Sequence, residues 1–248
     1  MTQEKDQPVL ILGATSDIAK ALAHEFARHG HPLQLASRNI SDLERCKTDL
    51  EVRYKAVVTL HRFDILDITT HHQFFSALQP KPYYVICAVG LLGNQAEQEQ
   101  DVQQAELVMR TNYMGPAIAL EAAAQTLIQN SGATAIIGIS SVAGDRGRAK
   151  NYYYGSAKAG FTQFLSGLRQ KLSKTKVHVM TVKPGFVATR MTEGMVTPKS
   201  LTMQPEELAT LVFQSLKKKR HVVYDWKWQI IMSIIKMIPE KIFKKLRF

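Results

Sequence analysis

The sequence predicts an α/β fold, a single domain on a doubly wound, seven-stranded parallel sheet, with a basic amphipathic helix at its C-terminal end. Apolar runs of strand length alternate with helix-period patterns over nearly the whole chain, as repeated βαβ units with right-handed crossovers require. No linker, low-complexity stretch or internal repeat divides the 248 residues, a length that suits one large domain. Apolar residues make up 45% and charged residues 21%, which excludes disorder and coiled coil as descriptions of the whole chain.

Each element follows from its local pattern. Pro8–Leu12 is an apolar run and predicts the first strand, followed by a helical stripe through Ile18, Leu22 and Phe26. Leu33–Ser37 predicts a second strand, after which Ser41 and Glu44 stand at the spacing of a capping box. Strands are expected at Val57–Phe63 and Tyr83–Val89 with a Thr69–Leu78 helix between them, then one long helix over about Gln100–Gln125. Thr134–Ser140, Val177–Lys183 and His221–Asp225 complete seven strands, separated by helices at Tyr152–Leu172 and Pro205–Leu216. The domain is expected to occupy residues 1–225 and the basic helix residues 226–248.

Two cysteines, Cys46 and Cys87, have no Cys-x-x-Cys or matching histidine spacing, so neither a disulfide framework nor a zinc or other metal site is expected. The polar start Met-Thr-Gln-Glu-Lys-Asp-Gln runs straight into a strand pattern and predicts no signal peptide. A cytoplasmic protein is the expectation.

The first strand runs into Gly13-Ala14-Thr15-Ser16-Asp17-Ile18-Ala19 and then a helix. Small residues at such a turn let backbone amides approach a pyrophosphate, whose charge the helix N-terminus stabilises. With one glycine present, a plain β-to-α turn reads equally well. After the second strand come Ser37 and Arg38 where a carboxylate would otherwise hold an adenosine ribose. A guanidinium there suits a 2′-phosphate and favours NADP(H) over NAD(H), the bland reading being a solvated surface arginine. Asp64 stands where it can accept the adenine amino group, or cap the next turn.

Tyr154 and Lys158 lie four apart in a helical pattern and share one face. An ammonium beside a phenol is expected to lower the phenol's pKa, so that tyrosine can exchange a proton with a carbonyl or alkoxide. Ser141 ends the fifth predicted strand, at the sheet edge where open α/β folds bind ligands. Taken alone, a Tyr-x-x-x-Lys pair is more often a surface feature, and Tyr152 and Tyr153 compete for the role.

The whole set resembles the short-chain dehydrogenase/reductase family over roughly residues 8–225. Gly13, Asn112 in Thr-Asn-Tyr-Met-Gly, Ser141, Tyr154, Lys158 and Pro184-Gly185-Phe186-Val187-Ala188-Thr189 occur in the family's order. The serine-to-tyrosine interval selects Ser141 over Ser140, and Lys158 selects Tyr154. The resemblance implies a Rossmann-type fold, Tyr154 as general acid, and Lys158 on the nicotinamide ribose. It implies Ser141 on the substrate oxygen and Asn112 holding a water that links Lys158 to solvent. It also implies cofactor contacts from Gly13, Thr15, Ser16, Asp17 and Ile18, from Asp64, Ile65, Ala88 and Gly90, and from Pro184, Gly185, Val187 and Thr189. Asp17 and Ala19 replace family glycines, and Cys87 replaces an asparagine. Asp17 is unfavourable beside a pyrophosphate unless it faces away or caps the helix. A homodimer or homotetramer is the family expectation.

Residues 140–248 are more closely similar to one branch of that family. It contains the ketoreductase subunit of decaprenylphosphoryl-ribose 2-epimerase, which reduces the 2-keto sugar left by a flavin oxidase. The resemblance rests on Ser-Ser-Val-Ala-Gly-Asp-Arg from Ser140, Lys-Pro-Gly-Phe-Val-Ala-Thr-Arg-Met from Lys183, and Met-Ile-Pro-Glu-Lys-Ile-Phe-Lys-Lys-Leu from Met237.

Of the formal net charge of +11, most falls in residues 217–248, where ten Lys/Arg stand against Asp225 and Glu240. From Trp226 to Ile238 the chain is apolar except for Lys227 and a stripe of Gln229, Ser233 and Lys236. Too short and too charged to span a bilayer, it suits the interface of an anionic membrane, or packs on a second subunit or over the active site. Its cations alternate with large aliphatics, which fits nucleic acid poorly. The expected activity is NADPH-dependent reduction of a lipid-linked keto sugar at a membrane surface. Small ketones, steroids or acyl groups are alternative substrates, and a non-catalytic cofactor sensor is an alternative class.

Overall fold

A computed structural model of the chain describes residues 7–246. Arg247, counted above in the basic tail, lies outside the described residues. The first half carries β1 (Val9–Leu12), α1 (Asp17–Arg28), β2 (Leu33–Ser37), α2 (Ser41–Tyr54), β3 (Val58–Arg62), α3 (His71–Ala77) and β4 (Tyr84–Cys87). Next come α4 (Gln95–Gln100), α5 (Val102–Met109), a π-turn (Arg110–Met114), α6 (Gly115–Leu127) and β5 (Thr134–Ile139). The remainder holds α7 (Tyr152–Lys171), β6 (Val177–Lys183), β7 (Phe186–Val187), β8 (Thr202–Met203), α8 (Pro205–Lys217) and β9 (Val222–Tyr224), then α9 (Trp226–Met237) and α10 (Glu240–Phe243).

Seven strands pair in parallel in the order β3-β2-β1-β4-β5-β6-β9, which is the doubly wound sheet expected, with its switch point between β1 and β4. Val9, Leu10, Ile11 and Leu12 are all fully buried because helices cover both faces. One cluster, with Leu22, Phe26 and Phe213, packs α1 and α8 on one face; another, with Leu120, Phe161 and Leu165, packs α6 and α7 on the other. All carboxyl ends of the strands therefore open on one pole.

Three local expectations need correction. The predicted helix over Gln100–Gln125 is interrupted twice. Asp101 Oδ1 caps a new helix by accepting the Gln103 N–H at 2.8 Å. Further on, Asn112 Nδ2 takes the Val108 carbonyl at 2.8 Å, the bond its own N–H makes in an α-helix, and the ladder slips into the π-turn. Ser41 and Glu44 form no capping box: Asn39 Oδ1 accepts both the N–H (3.3 Å) and the hydroxyl (3.0 Å) of Ser41. Val57 is exposed and outside β3, and the helix expected from Thr69 begins at His71. The two-residue pair β7·β8, not expected from the sequence, clamps the base of segment 188–201.

The basic tail also divides. Lys217 ends α8 and Lys219 follows it at the amino pole of the sheet, beside His178 and His221. The lysines of α9 and α10 lie at the carboxyl pole.

Candidate active site

A cavity of about 270 Å³ opens at the carboxyl pole. It brings together Ser16, Asp17, Ile18, Ala88, Gly90, Ser141, Tyr154, Lys158, Pro184, Gly185, Val187 and Thr189, all of them expected site residues. The cofactor end is a built cradle. Gly13 has φ +77°, and a Cβ there would meet Val89 at 2.9 Å, so the turn tolerates no side chain. Ser16 caps α1, its Oγ accepting the Ala19 N–H at 3.2 Å, and the helix N-terminus faces the cavity.

Asp17 is neutralised by a residue that sequence reasoning passed over. Arg190 Nε donates to Asp17 Oδ1 at 3.1 Å, its backbone N–H to Oδ2 at 2.8 Å, and its Nη2 to the Thr15 carbonyl at 2.6 Å. The guanidinium thus ties segment 188–201 to the first turn. The signal was in the sequence: an acid beside a pyrophosphate cradle demands a cation, and Arg190 directly follows Thr189.

The other expected cofactor residues lie beyond the cavity. Arg38 is exposed just past β2, and no ion pair engages it among the described residues. Ser37 Oγ donates to the Asn39 carbonyl at 2.6 Å. Asp64 takes the capping alternative, its Oδ1 accepting the Leu66 N–H at 3.0 Å. Ile65 is buried in the core below α6, where its carbonyl lies 2.3 Å from the place of a Cβ on Gly115. Among the described residues, the Gly13 cradle and the α1 N-terminus facing the cavity fit a dinucleotide.

At the reacting end, Ser141 Oγ accepts the Ala143 N–H at 3.1 Å and keeps its own proton to donate. Ser140 is excluded by its bonds, at 3.1 Å to the Lys158 carbonyl and 2.7 Å to Thr162 Oγ1. Tyr154 lines the cavity, whereas Tyr152 and Tyr153 pack on each other outside it. Lys158 is buried, its Nζ 3.1 Å from the Ile139 carbonyl and 5.7 Å from the centre of the Tyr154 ring.

The expected lowering of the tyrosine pKa is not found. Burial pushes the Tyr154 phenol up to about 12, opposed only by a hydrogen bond with Ser141. Burial also lowers Lys158 to about 8. Desolvation outweighs the ammonium because Nζ is turned to Ile139, and Tyr154 holds its proton as an acid must. Cys87 stands beside Lys158, its thiol pushed up to about 11 by burial. Asn112 commits its side chain to backbone, Nδ2 donating to Leu91 O (2.6 Å) and Val108 O, and Oδ1 accepting the Leu91 N–H (3.1 Å). That amide positions the loop after β4; the water relay remains an implication of the resemblance.

The C-terminal helix is a wall of this cavity. Trp228 is buried against Gly185, where a Cβ would fall 1.9 Å from Nε1, and donates to the Leu201 carbonyl at 2.9 Å. Its ring meets Phe186 edge-on at 5.3 Å, and Met232 packs beside it. Below, Asp145 accepts from Lys183 and, at 3.0 Å, from the Tyr224 hydroxyl, joining the Ser141 loop to β6 and β9.

This sheet, cradle and Ser–Tyr–Lys set define a nucleotide-dependent oxidoreductase. The chain matches the short chain dehydrogenase family model over residues 7–199, and it belongs to that family. An uncharacterised oxidoreductase of Mycobacterium tuberculosis is 33% identical over 243 residues, covering 96% of each chain. A short-chain dehydrogenase from Sphingobium yanoikuyae, solved with NADPH, superposes at TM-score 0.80 with 22% identity over 94% of this chain and 97% of its own. One from Burkholderia phymatum, solved with NAD, gives TM-score 0.82 with 19% identity over 99% and 97%. The protein is an NAD(P)-dependent short-chain dehydrogenase/reductase.

Proposed function

We propose that the protein is an NADPH-dependent ketoreductase that docks on an anionic membrane and reduces a lipid-linked keto sugar. The observation carrying this reading is the outer face of α9. Trp226, Ile230, Ile234 and Met237 form one exposed apolar stripe, while Trp228 of the same helix walls the cavity with Met232 clustered beside it. Lys227 and Lys236 lie on the same helix and exposed Lys241, Lys244 and Lys245 follow it, a composition that suits an amphipathic segment at an anionic lipid surface. No helix among the described residues is long and apolar enough to cross a membrane. Exposed Arg38 supports NADPH over NADH. Bound reduced nicotinamide would supply a hydride. Ser141 donates a hydrogen bond to the substrate carbonyl, and Tyr154 delivers its proton to the oxygen as negative charge develops. A soluble, apolar ketone is the second reading, favoured by Leu92, Met191, Met195 and Trp228 in the lining.

Co-sedimentation with phosphatidylglycerol-containing and pure phosphatidylcholine vesicles tests the docking. The comparison is with a W226S/I230S/I234S variant, because truncation before Trp226 also removes the cavity wall. Binding to anionic vesicles alone, lost in the variant with NADPH binding retained, is the expected result. If the wild type stays in the supernatant, or the variant loses a homodimer or homotetramer, the stripe is a subunit interface and the membrane reading fails. In the same assay series, R38D is expected to weaken NADPH at least tenfold more than NADH.

A further inference from the structure

Several cations stand in or beside the cavity, and most of them have partners. Lys158 donates to the Ile139 carbonyl, Lys183 to Asp145, and Arg190 to Asp17 and Thr15. Arg146 is held by Glu240 at 2.6 Å, with its guanidinium 4.2 Å from the centre of the Phe243 ring. Arg148, two residues further on, differs. It lines the cavity with Ser141 and Tyr154, yet its Nε is sealed from solvent and has no acceptor among the described residues. A charged guanidinium N–H left in that state carries a desolvation cost that a native site retains only for a reason.

The cavity does not supply the missing acceptor. Asp17 is the one carboxylate among its lining residues, and Arg190 occupies it. Asn151 is tied in place by donating its backbone N–H to the Arg148 carbonyl at 3.1 Å, which fixes the loop carrying both side chains. The site therefore lacks one negative group, next to the pair that addresses the substrate carbonyl. Met191, Met195 and Trp228 offer apolar surface on the remaining side.

We infer that Arg148 is a specificity-determining residue that binds an oxoanion on the substrate, so that the enzyme acts on ketones carrying a phosphate or carboxylate. The inference rests on the ketoreductase reading of the same cavity. A planar guanidinium fork matches two oxygens of either anion, and its Nε is already sealed from water. The phosphate of a lipid-linked sugar and the carboxylate of a keto acid present the same chemistry to Arg148.

Calorimetric titration of the NADPH-loaded protein with phenyl phosphate, benzoate and benzyl alcohol tests the assignment. The wild type is expected to bind one of the two anions at least tenfold more tightly than the alcohol, and the tighter anion identifies the source. R148Q is expected to lose that preference, and R148K, which keeps charge without the fork, to recover part of it. Equal anion affinity in wild type and R148Q, or no anion preference in the wild type, would overturn the assignment. A wild type that fails to bind NADPH would overturn the reductase reading instead. Phenyl phosphate against unloaded wild type and R148Q then still decides the role of Arg148.

Discussion

Lys158→Met is expected to stabilise the protein at neutral pH while abolishing activity. The ammonium is buried and, among the described residues, donates its one hydrogen bond to the neutral Ile139 carbonyl at 3.1 Å. Burial lowers its pKa from 10.5 to about 8, which at 1.36 kcal/mol per unit is a penalty of about 3 kcal/mol for keeping the charge. Methionine removes the penalty and loses a hydrogen bond of about 1 kcal/mol, leaving a net gain of about 2 kcal/mol. The sign follows from linkage. The native state holds the proton less tightly than the unfolded chain, so wild-type stability is depressed below pH 8 and recovers as pH rises toward 10.5. The variant lacks that recovery. Urea denaturation of both proteins without cofactor, from pH 7 to the alkaline limit of reversibility, should give curves that converge with rising pH. A variant less stable than wild type at pH 7, or a difference independent of pH, would refute the reasoning.

Three further outcomes follow from the same geometry. R190Q leaves Asp17 uncompensated beside the cradle; like charges about 5 Å apart at an effective dielectric of about 20 repel by about 3 kcal/mol. NADPH affinity by fluorescence titration should therefore fall by one to two orders of magnitude, and D17N/R190Q should restore most of it. G185A places a Cβ 1.9 Å from Trp228 Nε1, so it should lower thermal stability and turnover, with G185A/W228F recovering part of both. Y154F should lower turnover by roughly three orders of magnitude or more with NADPH still bound. It should also remove one tyrosinate from the strongly alkaline part of an absorbance titration, since burial pushes the phenol up to about 12.

The sheet was legible because its inner strands are buried on both faces and read as apolar runs, as in Val9–Leu12 and Ala135-Ile136-Ile137, while the edge strands β3 and β9 are only partly buried. Ser141, Tyr154 and Lys158 were legible because two adjoining elements present them, a strand end and one helix face. What escaped lies in contacts between distant segments. Arg190 and Asp17 are 173 positions apart, and Arg190 sits in the segment whose base the β7·β8 pair clamps. The break at Asn112 is a side-chain choice between two carbonyl partners, invisible to hydrophobic period. Tyr154 retains its proton because burial outweighs the nearby ammonium, and burial is a property of the packed state. Trp228 was read as part of an amphipathic face, but half of that face is spoken for by Gly185, Leu201 and Phe186.

That division of α9 changes what its charge can mean. The ten basic residues counted at the C-terminal end do not form one patch: Lys217 to Arg220 lie at the amino pole, around the N-terminal ends of β6 and β9. Among the described residues, Lys227, Lys236, Lys241, Lys244 and Lys245 lie on α9 or the segment after it, which also carries the exposed stripe from Trp226 to Met237. A surface that draws this stripe in must press on a helix whose opposite side holds Gly185 and the Leu201 carbonyl. Docking and cofactor geometry would then meet on one helix. Anionic vesicles should change the KM for NADPH or the turnover of wild type, but leave W226S/I230S/I234S unaffected, and equal kinetics with and without vesicles would uncouple the two faces.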